Sequence, residues 1–267
     1  MSYDKELIFA KELAQEAGEI MHRYFKSEDI GTEWKEDNTP LTVADIAIND
    51  LVIDRVKAEF PSHAVLGEES SFENDGDFVW VVDPIDGTVP FALGMPFSTF
   101  SLGLVNKKDG QPVVGVLYDP QLDSLYSVVK DGGAFLNDKP LKVTTNTTLI
   151  RGCVSVLSGN TTDETQYLKQ GTCVDLVRAQ GATALSLQSQ AYCGVRVASG
   201  ELVGSIFGYG APWDVAATSL MVQEAGGIVT DLYGNPRRYD QFAAGSIHAP
   251  NQEVLSKLIE IVSKSAP

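Results

Sequence analysis

A chain of 267 residues with 43% hydrophobic side chains can bury a substantial core, which excludes a disordered or low-complexity protein. A formal charge of −16 is repelled by nucleic-acid backbones and anionic membrane surfaces, so neither is an expected partner. A phosphate ester is compatible with that charge only where bound cations reverse the local sign.

The N-terminus, MSYDKELIFAKELAQ, is charged at helical spacing and lacks an apolar signal core. Leu7, Ala10, Leu13, Ala14, Ala17, Ile20, Met21 and Tyr24 recur at threes and fours, which predicts an amphipathic helix from about Asp4 to Phe25. Gly31 to Leu41 is polar and turn-rich, the mark of a loop or hairpin. Thr42 is the expected N-cap of a second helix through Ala58, with Asp45 in its first turn, where a carboxylate complements the helix dipole. A short strand, Ala64 to Leu66, breaks at Gly67 and is followed by Glu68 and Glu69.

Phe78 to Val82 reads as a strand buried on both faces, and it runs directly into Asp83-Pro84-Ile85-Asp86-Gly87-Thr88. Pro84 fixes one φ and removes a donor, so the chain leaves the sheet in a turn that aims Asp83, the Ile85 carbonyl and Asp86 at one point. Converging oxygens of this kind are what hard divalent cations take as ligands. A helix beginning at Gly87 and Thr88 would offer free N–H groups to a phosphate beside them. Taken alone, the stretch reads equally well as a surface turn, because Asp-Pro and Asp-Gly are common turn dipeptides.

The longest apolar run, Phe91 to Val105, carries Gly94, Pro96 and Gly103 and is too short to span a bilayer, so a soluble cytoplasmic protein is expected. Phe97 to Leu136 reads as a meander of antiparallel strands punctuated by Asp109-Gly110, Asp119-Pro120 and Asp131-Gly132-Gly133. Cys153 to Leu157 predicts a further strand, Thr161 to Leu168 a helix and Val174 to Val177 a strand. Gly181-Ala182-Thr183 is expected to open a helix that runs to Ala198 and stops at Gly200. Leu202 to Phe207 reads as a strand, and Pro212 starts a helix to Ala225, with Asp214 in its first turn and Gly226-Gly227 as its stop. Short strands near Ile228 and Ala243 and a helix from Gln252 to Ser263 close the chain. Cys153, Cys173 and Cys193 match no zinc or redox spacing and read as buried free thiols; His22, His63 and His248 read as structural. Helices and strands in blocks favour an α+β layered fold, with residues 1–145 and 146–267 as two halves of one compact unit sharing the cleft.

Glu68-Glu69, Asp83-Pro84-Ile85-Asp86-Gly87-Thr88 and Trp213-Asp214-Val215-Ala216-Ala217, preceded by Lys35 to Asp45 (KEDNTPLTVAD), together resemble the signature set of the inositol monophosphatase family. The resemblance implies a layered α/β/α/β/α sandwich, usually dimeric, and a magnesium-dependent, lithium-sensitive phosphomonoesterase acting on a small phosphorylated polyol or sugar. It places Glu68, Asp83 and the Ile85 carbonyl on one magnesium and Asp83, Asp86 and Asp214 on a second. Glu69 and the Lys35 to Thr42 loop would support a third ion and the substrate, making two or three ions per site. Thr88, hydrogen-bonded to Asp45, would orient and help deprotonate the attacking water, while the Gly87 and Thr88 amides hold the phosphate. Carboxylates gathered without cations would repel one another, which supports a bound divalent metal independently of the resemblance.

Two departures bear on the substrate. Val89-Pro90 follows Thr88 where the family has an Asn before the Phe, and Gly181-Ala182-Thr183 stands for a sugar-contacting G-[ST]-A stretch whose middle hydroxyl Ala182 lacks. Where inositol-specialised members carry a glutamate, seven residues before Asp214, this chain has Phe207, which predicts broad specificity. Histidinol-phosphate, fructose-bisphosphate or 3′-phosphonucleotide hydrolysis are the alternatives within the family, and an inactive metal-binding or regulatory homologue is the alternative outside enzymology.

Overall fold

In the computed structural model, which describes residues 3–27, 30–35, 40–158 and 168–266, helices alternate with two large sheets in the order α/β/α/β/α. From the N-terminus run α1 (Asp4–Tyr24), the paired β1 (Glu33–Trp34) and β2 (Pro40–Leu41), α2 (Val43–Glu59), β3 (Ala64–Gly67), β4 (Phe78–Asp86), α3 (Thr88–Ala92), β5 (Thr99–Asn106), β6 (Gln111–Asp119), β7 (Ser124–Val129), β8 (Gly133–Leu136) and β9 (Lys139–Pro140). There follow β10 (Cys153–Leu157), α4 (Gln170–Ala179), β11 (Thr183–Leu185), α5 (Gln190–Ala198), β12 (Gly204–Phe207), α6 (Pro212–Glu224), β13 (Ile228–Thr230), β14 (Ser246–Ala249) and α7 (Gln252–Ser265).

Strands β3 to β9 form a seven-stranded sheet in sequence order, parallel between β3 and β4 and antiparallel thereafter, so the meander read from the turns is present. The alternation of side chains along β4 assigns its two faces. Trp80 and Val82 join Leu13, Ala17, Ile48 and Val52 of α1 and α2 in one core, whereas Val79 and Val81 face a second core built from α5 and α6. The second sheet has the order β11-β10-β12-β14-β13. Val154, Val156 and Ile206 point from it to Leu255 and Leu258 of α7, while Leu157 and Phe207 point back toward α5 and α6.

Helix α6 is thus covered on both sides, which explains why its sequence is apolar nearly all round. It lies close to the first sheet because Gly103 and Gly115 leave room: a Cβ at Gly115 would sit 3.0 Å from the Ala217 Cα. No described helix is long and apolar enough to cross a membrane. Cys173 and Cys193 are buried and free, and burial pushes both thiols up to about 12, so neither is a nucleophile at neutral pH.

The interval between β10 and β12 differs from the sequence expectation. Val174 to Val177 lies within α4, with Cys173 and Val177 buried one helical turn apart, rather than forming a strand. Thr183 begins not a helix but the edge strand β11, paired in parallel with β10, and the helix starts only at Gln190. Short runs such as VDLV carry too few residues for period to separate strand from helix. The strand expected near Ala243 is at Ser246–Ala249, and the helix expected from Thr161 to Leu168 falls almost wholly outside the described residues.

Candidate active site

Strand β4 carries Asp83 to the C-terminal edge of the first sheet, where its pairing with β5 shifts register between Asp83 and Asp86. Pro84 cannot donate to the ladder, and the irregularity brings Asp83, Ile85 and Asp86 to the cleft at 2%, 0% and 5% exposure. Gly87 then turns the chain with a φ of 86°; a Cβ there would meet the Phe97 carbonyl oxygen at 2.6 Å. Across the cleft Pro212 opens α6, and Asp214 sits in its first turn, 8% exposed, where the helix dipole favours an anion. One oxygen each from Asp83, Asp86 and Asp214 lie within 4.8 Å of one another.

Burial is the main force on these groups. It raises Asp83 and Asp214 well above the usual carboxylate range, with Glu68 and Asp86 adding repulsion, and lifts Asp86 to about 6 against its hydrogen bonds. Asp86 Oδ2 accepts from Ser189 Oγ and from the Ala191 and Tyr192 amides, and Oδ1 from the Gln190 amide at 3.0 Å. Asp83 Oδ1 is buried with no hydrogen-bond partner among the described residues. An oxygen-only donor set with an unsatisfied carboxylate oxygen at its centre fits magnesium, which prefers hard oxygen ligands. The Ile85 carbonyl, already accepting from Thr88 Oγ1 at 3.0 Å, keeps a second lone pair for such an ion.

Glu68 and Glu69 follow β3, whose parallel register with β4 sets Gly67 beside Val82. Lys35 Nζ bridges them, 2.9 Å from Glu68 and 2.6 Å from Glu69. Burial works against the ammonium, but the two glutamates outweigh it and raise the Lys35 pKa. Residues 36–39, including Asp37 of the KEDNTPLTVAD stretch, fall outside the described residues. Asp45 is fully buried and closes a capping box with Thr42, accepting from the Thr42 amide at 2.8 Å and from its hydroxyl. Its Oδ1 has no partner among the described residues, and burial, opposed by the Thr42 bonds, lifts its pKa to about 7.

The cleft, about 160 Å³, is lined by Glu68, Asp83, Ile85, Asp86, Gly87, Thr88 and Asp214 together with Pro40, Val89, Leu157, Ser158, Gln188 and Gln190. Three sequence expectations need correction here. The Thr88 hydroxyl donates to the Ile85 carbonyl, and no hydrogen bond joins it to Asp45 among the described residues. Gly181, Ala182 and Thr183 enter edge strand β11 and do not line the cleft; Gln188-Ser189-Gln190 stands there instead. Phe207 is fully buried with its ring edge-on to His248, so it presents nothing to a substrate. Proline at Val89-Pro90-Phe91 is accommodated in the first turn of α3, where Pro90 is buried.

Sequence reasoning missed Gln188, Ser189 and Gln190. Ser189 caps α5 by accepting from the Tyr192 amide at 3.2 Å, and Gln188 adopts a left-handed φ of 58°. A serine just ahead of Ala191, Gly194, Val195 and Ala198, which recur at threes and fours, was the available signal for the helix start, though not for its role.

The inositol monophosphatase family model matches residues 2–266. Inositol monophosphatase 2 of Solanum lycopersicum is 35% identical over 270 residues, covering 96% of this chain and 97% of that relative. Among solved structures, Thermotoga maritima IMPase superposes with a TM-score of 0.86 at 25% identity, covering 97% of each chain. The extragenic suppressor protein suhB of Bartonella henselae superposes with a TM-score of 0.87 at 26% identity, covering 98% of this chain and 99% of its own. A match along almost the whole length, in sequence and in layered architecture alike, means that the chain belongs to the inositol monophosphatase family.

Proposed function

We propose that this chain is a magnesium-dependent phosphomonoesterase that hydrolyses inositol monophosphate and related small polyol or sugar phosphates. The observation that carries this reading is the convergence of the buried Asp83, Asp86 and Asp214 on one cleft, with ligand oxygens within 4.8 Å. When bound, magnesium neutralises the phosphoryl oxygens and eases deprotonation of the attacking water. Glu68, Asp83 and the Ile85 carbonyl would hold one ion, and Asp83, Asp86 and Asp214 a second, with Asp83 common to both. Glu68 would take up its ion, and Glu69 support a third, once Lys35 moves off them.

The remaining roles belong to this chain's own groups. The Gly87 and Thr88 amides receive the phosphate at the turn that leaves β4. Thr88 orients the attacking water, and its hydroxyl must turn from the Ile85 carbonyl to do so. Asp45, buried and with one oxygen that has no hydrogen-bond partner among the described residues, is the carboxylate assigned to accept a proton. On the alcohol side, a buried Phe207 supplies no acceptor for ring hydroxyls, so selectivity falls to the cleft wall at Leu157, Ser158, Gln188 and Gln190, and a broad substrate range is expected. A homodimer in solution and inhibition by lithium are expected on family grounds.

Phosphate release from inositol 1-phosphate, fructose 1,6-bisphosphate, histidinol phosphate, glycerol 2-phosphate and a 3′-phosphonucleotide, each with magnesium and with EDTA, tests the proposal. Turnover that requires magnesium supports it; no turnover of any ester would favour an inactive homologue. A preference for inositol 1-phosphate above about a hundredfold would refute the broad-range expectation, since a lost hydrogen bond to a charged group accounts for about ten- to a hundredfold.

A further inference from the structure

Gln190 touches both carboxylates that the cleft draws from opposite walls. Its backbone amide donates to Asp86 Oδ1 at 3.0 Å, and its side-chain Nε2 donates to Asp214 Oδ2 at 2.8 Å. Asp86 ends β4 of the first sheet and Asp214 opens α6, so the first residue of α5 ties the two together. Facing the charged Asp214 carboxylate that would hold an ion, the side-chain amide must present Nε2, because the reverse would set Oε1 against a carboxylate oxygen. In the observed orientation Oε1 is buried with no partner among the described residues, and the side-chain bond of the amide is the one to Asp214.

We infer that Gln190 is a positioning residue for magnesium, holding Asp214 in the rotamer that presents its other oxygen to Asp83 and Asp86. The inference rests on the metal-ion reading given above. A glutamine suits this task because it supplies a donor without a charge. A lysine or arginine in its place would satisfy Asp214 but compete with the incoming cation, as Lys35 does at Glu68 and Glu69. The backbone bond to Asp86 survives any side-chain change, so substitution at position 190 isolates the Asp214 contact. Asp86 itself has Oδ2 engaged by the Ser189 hydroxyl and by the Ala191 and Tyr192 amides. Its less engaged Oδ1 is the atom left for an ion, and that atom is the one Gln190 also touches.

The test is magnesium binding measured by calorimetry on substrate-free wild type, Gln190→Ala and Gln190→Met, with Asp83→Asn as the control for the site itself. Gln190→Met keeps side-chain length and packing while removing the donor, and near-ultraviolet circular dichroism checks that both variants are folded. The expected result is a magnesium dissociation constant raised about ten- to a hundredfold in both variants, the range for losing a group that orients a ligand. In steady state, kcat should recover at saturating magnesium with the substrate KM little changed. Unchanged magnesium affinity together with a raised KM would overturn the inference, since Gln190 would then be reading the substrate. Wild type that binds no magnesium, or Asp83→Asn that binds it normally, would instead defeat the metal-ion reading on which the inference stands.

Discussion

Replacing Asp45 by asparagine in metal-free protein removes one buried charge. The Asp45 carboxyl is fully buried, and its pKa stands at about 7 against an ordinary 3.8; burial is the largest cause, Thr42 opposes it, and Glu68 and Glu69 add to it. A pKa raised on folding means that the folded state holds a proton the unfolded state has lost, so stability is whole below the unfolded value and declines as pH rises to the folded one. Three units at about 1.4 kcal/mol each put the cost of Asp45 at about 4 kcal/mol at about pH 8 and about 1.5 kcal/mol at about pH 5. Asparagine carries no charge at either pH and retains an acceptor for Thr42; a poorer cap would cost about 1 kcal/mol at both. The variant is therefore expected to be about 3 kcal/mol more stable than wild type at about pH 8 and nearly equal to it at about pH 5. Urea unfolding followed by circular dichroism in EDTA measures this. His63 and His248, both with lowered pKa values from burial, are common to the two proteins and cancel in the difference, whereas Asp83 is relieved of repulsion from Asp45 in the variant, which adds to the gain at the alkaline end. A stability difference that does not change with pH, or that is larger at the acid end, would refute the reasoning.

Asp83→Asn should reduce turnover by at least about 10³-fold even at saturating magnesium, because an amide cannot supply the second anionic oxygen that a shared ligand needs; near-normal turnover would defeat the assignment. Thr88→Ala should lower kcat by about 10² to 10⁴-fold while KM moves little, and a change confined to KM would make Thr88 a binding residue only. Magnesium at a hundred times its dissociation constant should stabilise wild type by about 2.7 kcal/mol, a rise in Tm of about 5–10 °C that Asp214→Asn loses; scanning calorimetry reads both. Ser189→Ala should cost about 1 kcal/mol through the α5 cap and also weaken magnesium binding, since the same hydroxyl donates to Asp86; a stability loss with unaltered binding would separate the two roles.

The parts of the site that were legible in sequence are those where local covalent structure dictates geometry. Asp83-Pro84-Ile85-Asp86-Gly87 announces itself because a buried strand, a proline and a glycine fix the turn within a few residues. Pro212 and Asp214 announce themselves as a first helical turn, and Thr42 with Asp45 as a capping box. Gln188-Ser189-Gln190 was not legible, because its role comes from tertiary placement: the N-terminus of α5 meets Asp86 more than a hundred residues back along the chain. The same limit misplaced Gly181 to Thr183, where edge-strand pairing with β10 overrides local preference, and Phe207, whose direction depends on which face of β12 is buried. The Lys35 bridge was likewise invisible, since no spacing rule joins a residue before β2 to the end of β3.

The glycines beneath α6 carry a consequence for natural variation. Gly103 and Gly115 lie in the middle of β5 and β6, have no polar atoms to offer a substrate, and would attract no attention in a search for active-site variants. Yet a methyl group at Gly115 would press on the Ala217 backbone at 3.0 Å, and one at Gly103 on Ala216 Cβ at 3.3 Å, in the same helix whose first turn presents Asp214. A displaced helix axis tilts its whole length, so a bulkier side chain at either strand would be felt at the cleft as a mis-aimed aspartate. Inactivating alleles of this protein should therefore recur at these two positions as well as at the acidic residues, and carriers would make folded protein that has lost its grip on magnesium.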